Sequence, residues 1–128
     1  KAILSNKGLL PLLWEMFEGH PNLLPAYFDG DPAATALDGN YVRKPLFSRE
    51  GANIEFFEGG EQTINIDGDY GAEGHIVQAL NPLPHFNGNY PMIGSWLVAS
   101  QPCGICIRED ATLVTGDDAR FVPHIILG

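Results

Sequence analysis

Positive charge is scarce in this chain. Its 128 residues include seven Lys or Arg against sixteen Asp or Glu, for a net charge of −9 and a pI near 4.6. A nucleic-acid or anionic-membrane partner needs a basic face that displaces counterions, so neither is expected. No apolar run approaches the roughly 18 to 20 residues of a membrane span, and no charged-then-apolar leader precedes a small-residue cleavage site. Only two cysteines occur. They favour a reducing compartment over secretion, and the expectation is a soluble, cytoplasmic protein. The chain opens on "KAILSNK" without an initiator Met and closes on the apolar "FVPHIILG". It reads as a piece of something longer.

What is present is enough for a core. With 45% hydrophobic residues, 15 Gly and 10 Pro, residues 1–128 are expected to form a single turn-rich domain. In "SNKGLLPLLWEMFEGHP", Ser5 or Asn6 can cap a helix from about Gly8 to Phe17. Leu9, Leu13, Met16 and Phe17 recur at helical spacing, and Pro11 is tolerable only in the first turn. "DPAATAL" predicts a short helical turn with Asp31 as cap and Pro32 first. From residue 41 onward "YVRKPLF", "NIEFF", "QTINI", "HIVQAL", "YPMIGSWLVAS" and "CGICIRE" read as strands, and Gly59-Gly60 marks a hairpin. The economical fold class is α+β: a mainly antiparallel sheet with one or two helices.

Several constellations can be set aside. "CGIC" has redox or zinc spacing, but Cys103 and Cys106 are expected to project to opposite faces of a strand, and no second Cys or His pair completes a tetrahedral set. "DGDYGAE" begins like a calcium loop at Asp67, yet its twelfth position is Gln78, which cannot supply a bidentate carboxylate. His20, His75, His85 and His124 are scattered.

The scarce cations are unevenly placed. Arg43, Lys44 and Arg49 fall within "YVRKPLFSREGAN", beside Gly51. On a strand, Val42, Lys44 and Leu46 share one face while Tyr41, Arg43 and Phe47 share the other. Lys44 then sits on an otherwise apolar face, where an unpaired ammonium is costly and calls for a counter-charge. The plain alternative is an edge lysine whose stem lies on apolar surface while its head reaches water. The "SREGAN" segment offers backbone N–H groups that could turn toward an oxyanion. It lacks the order of a P-loop or a dinucleotide fingerprint.

The series "ILSNKGLLPLLWEMF", "VRKPLFSREGANI", "EGHIVQALNPLPHFNGNYPMIGSWLV" and "GICIREDATLVTGDDARFVPHII" resembles the C-terminal part of the glutathionylspermidine synthase family, whose synthetase domain is an ATP-grasp ligase. The resemblance covers nearly the whole chain in the family's order. It implies an ATP-grasp-like lobe in which Lys7 and Lys44 reach the phosphates of ATP. Arg49, Glu50 and Gly51 lie in a loop that closes on the nucleotide, and a planar guanidinium there suits a transferring phosphoryl group. "QALN", Gln78, Ala79, Leu80 and Asn81, looks like the adenine-holding linker, with Leu80 and Leu113 flanking the ring. From spacing alone the same segment is an ordinary half-buried strand. Arg108 resembles a second active-site arginine, against the alternative of a surface partner for Glu109 or Asp110.

The resemblance further implies ATP-dependent amide formation between a peptide carboxylate, such as that of glutathione, and an amine such as spermidine, through an acyl phosphate. Mg2+ would be held by oxygen ligands outside this chain. The chain alone is therefore expected to be inactive, with the remainder of a ligase, or an oligomer, covering exposed apolar surface. The alternative is a catalytically degenerate module of the same shape that binds nucleotide or peptide.

Overall fold

A computed structural model describes residues 3–127, which form two compact units divided between Asn81 and Pro82. The first begins with a 3-10 turn, Ile3–Ser5, and helix α1, Leu9–Met16. The N-cap position is Gly8, not Ser5 or Asn6 as expected, and Asn6 acts two residues ahead of it: its side-chain Oδ1 accepts from Gly8 N at 2.8 Å, and its backbone carbonyl accepts from Leu9 N at 3.2 Å. The helix ends where Phe17 N donates to Leu13 O, shortly before Gly19 at φ 79°. It packs on the short strand β1, Ala26–Phe28. So small a partner leaves Met16 and Phe17 exposed, although their spacing matches the stripe of Leu9 and Leu13.

The Asp31 turn forms as its residues dictate. The Asp31 carboxylate accepts from Ala33 N at 2.9 Å, Pro32 takes the first position, and a 3-10 segment runs Pro32–Leu37. Strands β2, Tyr41–Pro45, β3, Glu55–Glu58, β4, Glu61–Asn65, and β5, His75–Ala79, follow. They join β1 in an antiparallel sheet of order β1-β5-β2-β3-β4. Gly59 and Gly60, at φ 60° and 84°, make the tight turn between β3 and β4. That turn docks on Gly39, where a Cβ would stand 2.6 Å from Gly60 N.

Register decides the faces. Val42 pairs with Phe56 on one side and Gln78 on the other, and Gln78 pairs with Ala26. Partners directly opposite share a face, so Val42, Phe56, Ala26, Ile76 and Gln78 lie together with Lys44. The apolar members of that set are buried, and Gln78 is the buried polar residue among them. The opposite face carries Arg43, Val77 and the stacked rings of Tyr41 and Phe57. β2 is the central strand of the five, so Lys44 does not sit at an edge.

The second unit is a three-stranded antiparallel sheet of β6, Tyr90–Val98, β7, Gln101–Asp110, and β8, Arg120–Val122. Trp96 pairs with Gly104 and Leu97 with Pro102, which leaves Cys103 as the extra residue of a bulge. The simple alternation expected for Cys103 and Cys106 is interrupted there. Both are free thiols. Together the elements are α+β and predominantly antiparallel.

Candidate functional site

Three neighbouring cations of the β2 region have three different fates. Arg43 is consumed internally: Nε donates to Asp29 at 2.8 Å, one terminal nitrogen donates to Glu55 at 3.0 Å, and the other lies 3.1 Å from His75 Nδ1. Burial works against its charge, but the bonds to Asp29 and Glu55 outweigh that and hold its pKa above the ordinary value. It braces β2 against its neighbours.

Lys44, one residue on, faces the other way. Its ammonium donates to Gln78 Oε1 at 2.8 Å, a diagonal contact between adjacent central strands. Lys7 reaches the same region from the segment before α1. Its Nζ donates to the carbonyl of Ser48 at 2.8 Å and to Ser48 Oγ at 2.9 Å, while its backbone N–H donates to Leu46 O at 2.9 Å. Burial lowers the pKa of both lysines, and for Lys44 the positive charge of Lys7 lowers it further. Among the described residues no carboxylate forms an ion pair with either lysine; the ion pairs belong to Arg43 and Arg120. Two half-buried ammoniums thus lean on neutral oxygens, in a chain with sixteen carboxylates.

Arg49 is exposed, on the loop 46–54 between β2 and β3. With Ser5, Phe47, Ser48 and Tyr70 it lines an open depression of about 280 Å³. The chain turns sharply there: Ala52 N donates to Arg49 O at 3.0 Å, with Glu50 at φ 56° and Gly51 at φ 77°. Asn53 anchors the far end, accepting from Tyr70 N and donating to Gly68 O, both at 2.8 Å. The Lys7 ammonium, through Ser48, and Arg49 therefore meet on one loop.

Gln78 and Ala79 end β5, and Leu80 and Asn81 follow it. The N–H of Ala79 donates to Pro25 O at 2.8 Å and that of Leu80 to Asn40 O at 3.2 Å, so both amides already have partners within the unit. Leu113 and Arg108 belong to the second unit. Arg108 partners neither Glu109 nor Asp110. A terminal nitrogen donates to Gly116 O at 2.8 Å, its guanidinium lies 5.6 Å from the Phe121 ring centroid, and its buried Nε has no partner among the described residues. Asp110 accepts from Gly116 N and Thr112 N, each at 3.0 Å, and these bonds lower its pKa. Arg108 and Asp110 thus hold the carbonyl and the N–H of Gly116 respectively.

Sequence reasoning missed two participants, Ser48 and the side chain of Gln78. For Gln78 a signal existed: an amide inside the apolar "HIVQAL", at a position that alternation sends into the core. Ser48 gave none, since its contact with Lys7 spans 41 positions.

Residues 1–127 match the family profile described as glutathionylspermidine synthase preATP-grasp. The chain is 43% identical, over 97% of its length, to a protein of Haemophilus influenzae named putative acid–amine ligase. It is 34% identical over 94% to trypanothione synthetase of Crithidia fasciculata, and 29% identical over 98% to the bifunctional glutathionylspermidine synthetase/amidase of Escherichia coli. It spans 33%, 18% and 20% of those proteins respectively. These relatives are ligases and synthetases, and over residues 1–127 the chain belongs to the glutathionylspermidine synthase family.

Proposed function

We propose that the chain is the phosphate-binding part of an ATP-dependent carbon–nitrogen ligase. In this reading Lys7 and Lys44 meet the α and β phosphates of ATP, and Arg49, carried by loop 46–54, closes on the γ phosphate as it transfers. A carboxylate oxygen of a peptide such as glutathione attacks the γ phosphorus, and the bond to the ADP oxygen breaks. An amine such as spermidine then attacks the acyl carbon, loses a proton, and expels phosphate. The observation that carries the reading is the pair of half-buried ammoniums, Lys7 and Lys44, without a carboxylate among the described residues. Such a pair is costly in the empty protein and is relieved by a polyanion.

A bound Mg2+ would supply charge neutralisation for the transferring phosphoryl group. Among the described residues no three His, Cys, Asp or Glu converge, and in this reading the oxygen ligands of the ion lie outside this chain. Adenine contacts through Gln78, Ala79, Leu80 and Asn81, and roles for Glu50, Gly51, Leu113 and Arg108 at the nucleotide or peptide, are parts of the same proposal.

The test is nucleotide titration of the full-length protein, alongside ADP release with paired peptides and amines. Lys44→Ala weakens ATP binding, while Arg49→Ala leaves binding nearly intact and slows phosphoryl transfer, because only the latter contact strengthens in the transition state. Unchanged ATP affinity in Lys44→Ala removes that lysine from the site. ATP binding without ADP release in any pairing supports the catalytically degenerate module instead.

A further inference from the structure

The Lys44 ammonium is held by an amide where a carboxylate would fit. Gln78 and Lys44 lie diagonally on β5 and β2, on the buried face of the central strands, and their side chains meet at 2.8 Å. Glu has the same length and branching as Gln, so a carboxylate at 78 would reach the same ammonium and satisfy the charge outright. The protein keeps the neutral form at a position only 8% exposed. An amide oxygen takes one of the three N–H donors of a lysine and fixes where the head points, yet it leaves the full positive charge and two donors for another acceptor. Ser48 treats Lys7 in the same way, through a carbonyl and a hydroxyl. Both ammoniums are positioned by neutral oxygens.

We infer that Gln78 is a positioning residue for the phosphate site, holding the Lys44 ammonium in place by a neutral acceptor so that its charge stays free for the anion. The inference rests on the phosphate reading above and adds a role for the side chain of Gln78, distinct from any contact with the adenine ring. The charged group acting on Lys44 among the described residues is Lys7. A Glu at 78 would add a second charge of opposite sign.

The experiment is ATP titration across pH with the full-length protein and its Gln78→Glu, Gln78→Met and Lys44→Ala variants, each checked for folding by circular dichroism and melting. Wild-type affinity falls on the alkaline side as Lys44 loses its proton. Gln78→Glu cancels the charge seen by the phosphates and weakens ATP by about tenfold or more at neutral pH. It also moves the alkaline limb upward by at least about one pH unit, because the carboxylate favours the charged lysine. Gln78→Met, similar in volume, moves that limb downward. A purely structural role for Gln78 changes affinity without moving the limb, so an unmoved limb in both variants overturns the inference, as does wild-type ATP affinity in Gln78→Glu. If Lys44→Ala weakens ATP while Gln78→Glu does not, only the positioning role falls. If Lys44→Ala binds ATP like wild type, the phosphate reading itself fails.

Discussion

Lys44 is a burden on the fold. Burial, and then the nearby charge of Lys7, set its pKa below the ordinary 10.5. Below the folded pKa both states are protonated and the penalty is felt in full. Between the folded pKa and about 10.5 the unfolded chain binds more protons, so stability rises with pH across that window. Removing the charge alone is no remedy: Lys44→Met leaves the buried Gln78 oxygen without a donor, at a cost of about 1–3 kcal/mol. Replacing both partners, Lys44→Met with Gln78→Leu, removes the charge and the orphan together. Urea denaturation is expected to show the double variant more stable than Lys44→Met and no less stable than wild type at neutral pH, with a smaller rise at alkaline pH, and nucleotide titration to show weakened ATP binding. A double variant weaker than the single one would contradict this account of why the pair is there.

Strand β2 sends its two cations to opposite faces by alternation. Arg43 points to the face where Asp29, Glu55 and His75 receive it, and Lys44 to the face where, among the described residues, no carboxylate does. Arg43→Ala is therefore expected to cost stability, by about 1–2 kcal/mol after allowance for its partial exposure, while ATP affinity changes by less than about twofold. Chemical denaturation and nucleotide titration on one preparation test both halves; a large loss of affinity at unchanged stability would move Arg43 into the site. Much of this element was legible beforehand. The period-2 pattern placed Lys44 and Arg43 on opposite faces, Gly59-Gly60 marked the hairpin, and Asp31-Pro32 marked the 3-10 turn. Strands β1 and β8, three residues each, were not legible, because so short a run has no period to read. Nor were the bonds from Lys7 to Ser48 and from Lys44 to Gln78, which join residues 41 and 34 positions apart and exist only once the sheet has its register.

Each unit of the molecule has its own character. The first buries a small core of Ala26, Leu37, Val42, Phe56, Ile76 and Val77 and contains Lys7, Lys44 and Arg49. The second leaves Ile93, Trp96, Leu97 and Phe121 more than half exposed. The chain spans a third or less of those relatives. The most direct test is a crystal structure of the full-length protein with a non-hydrolysable ATP analogue. The Nζ atoms of Lys7 and Lys44 are expected within about 3 Å of oxygens of one triphosphate, with Gln78 still bonded to Lys44 and Arg49 drawn toward the γ position. A nucleotide bound elsewhere, with both ammoniums still resting only on Ser48 and Gln78, would contradict the phosphate reading.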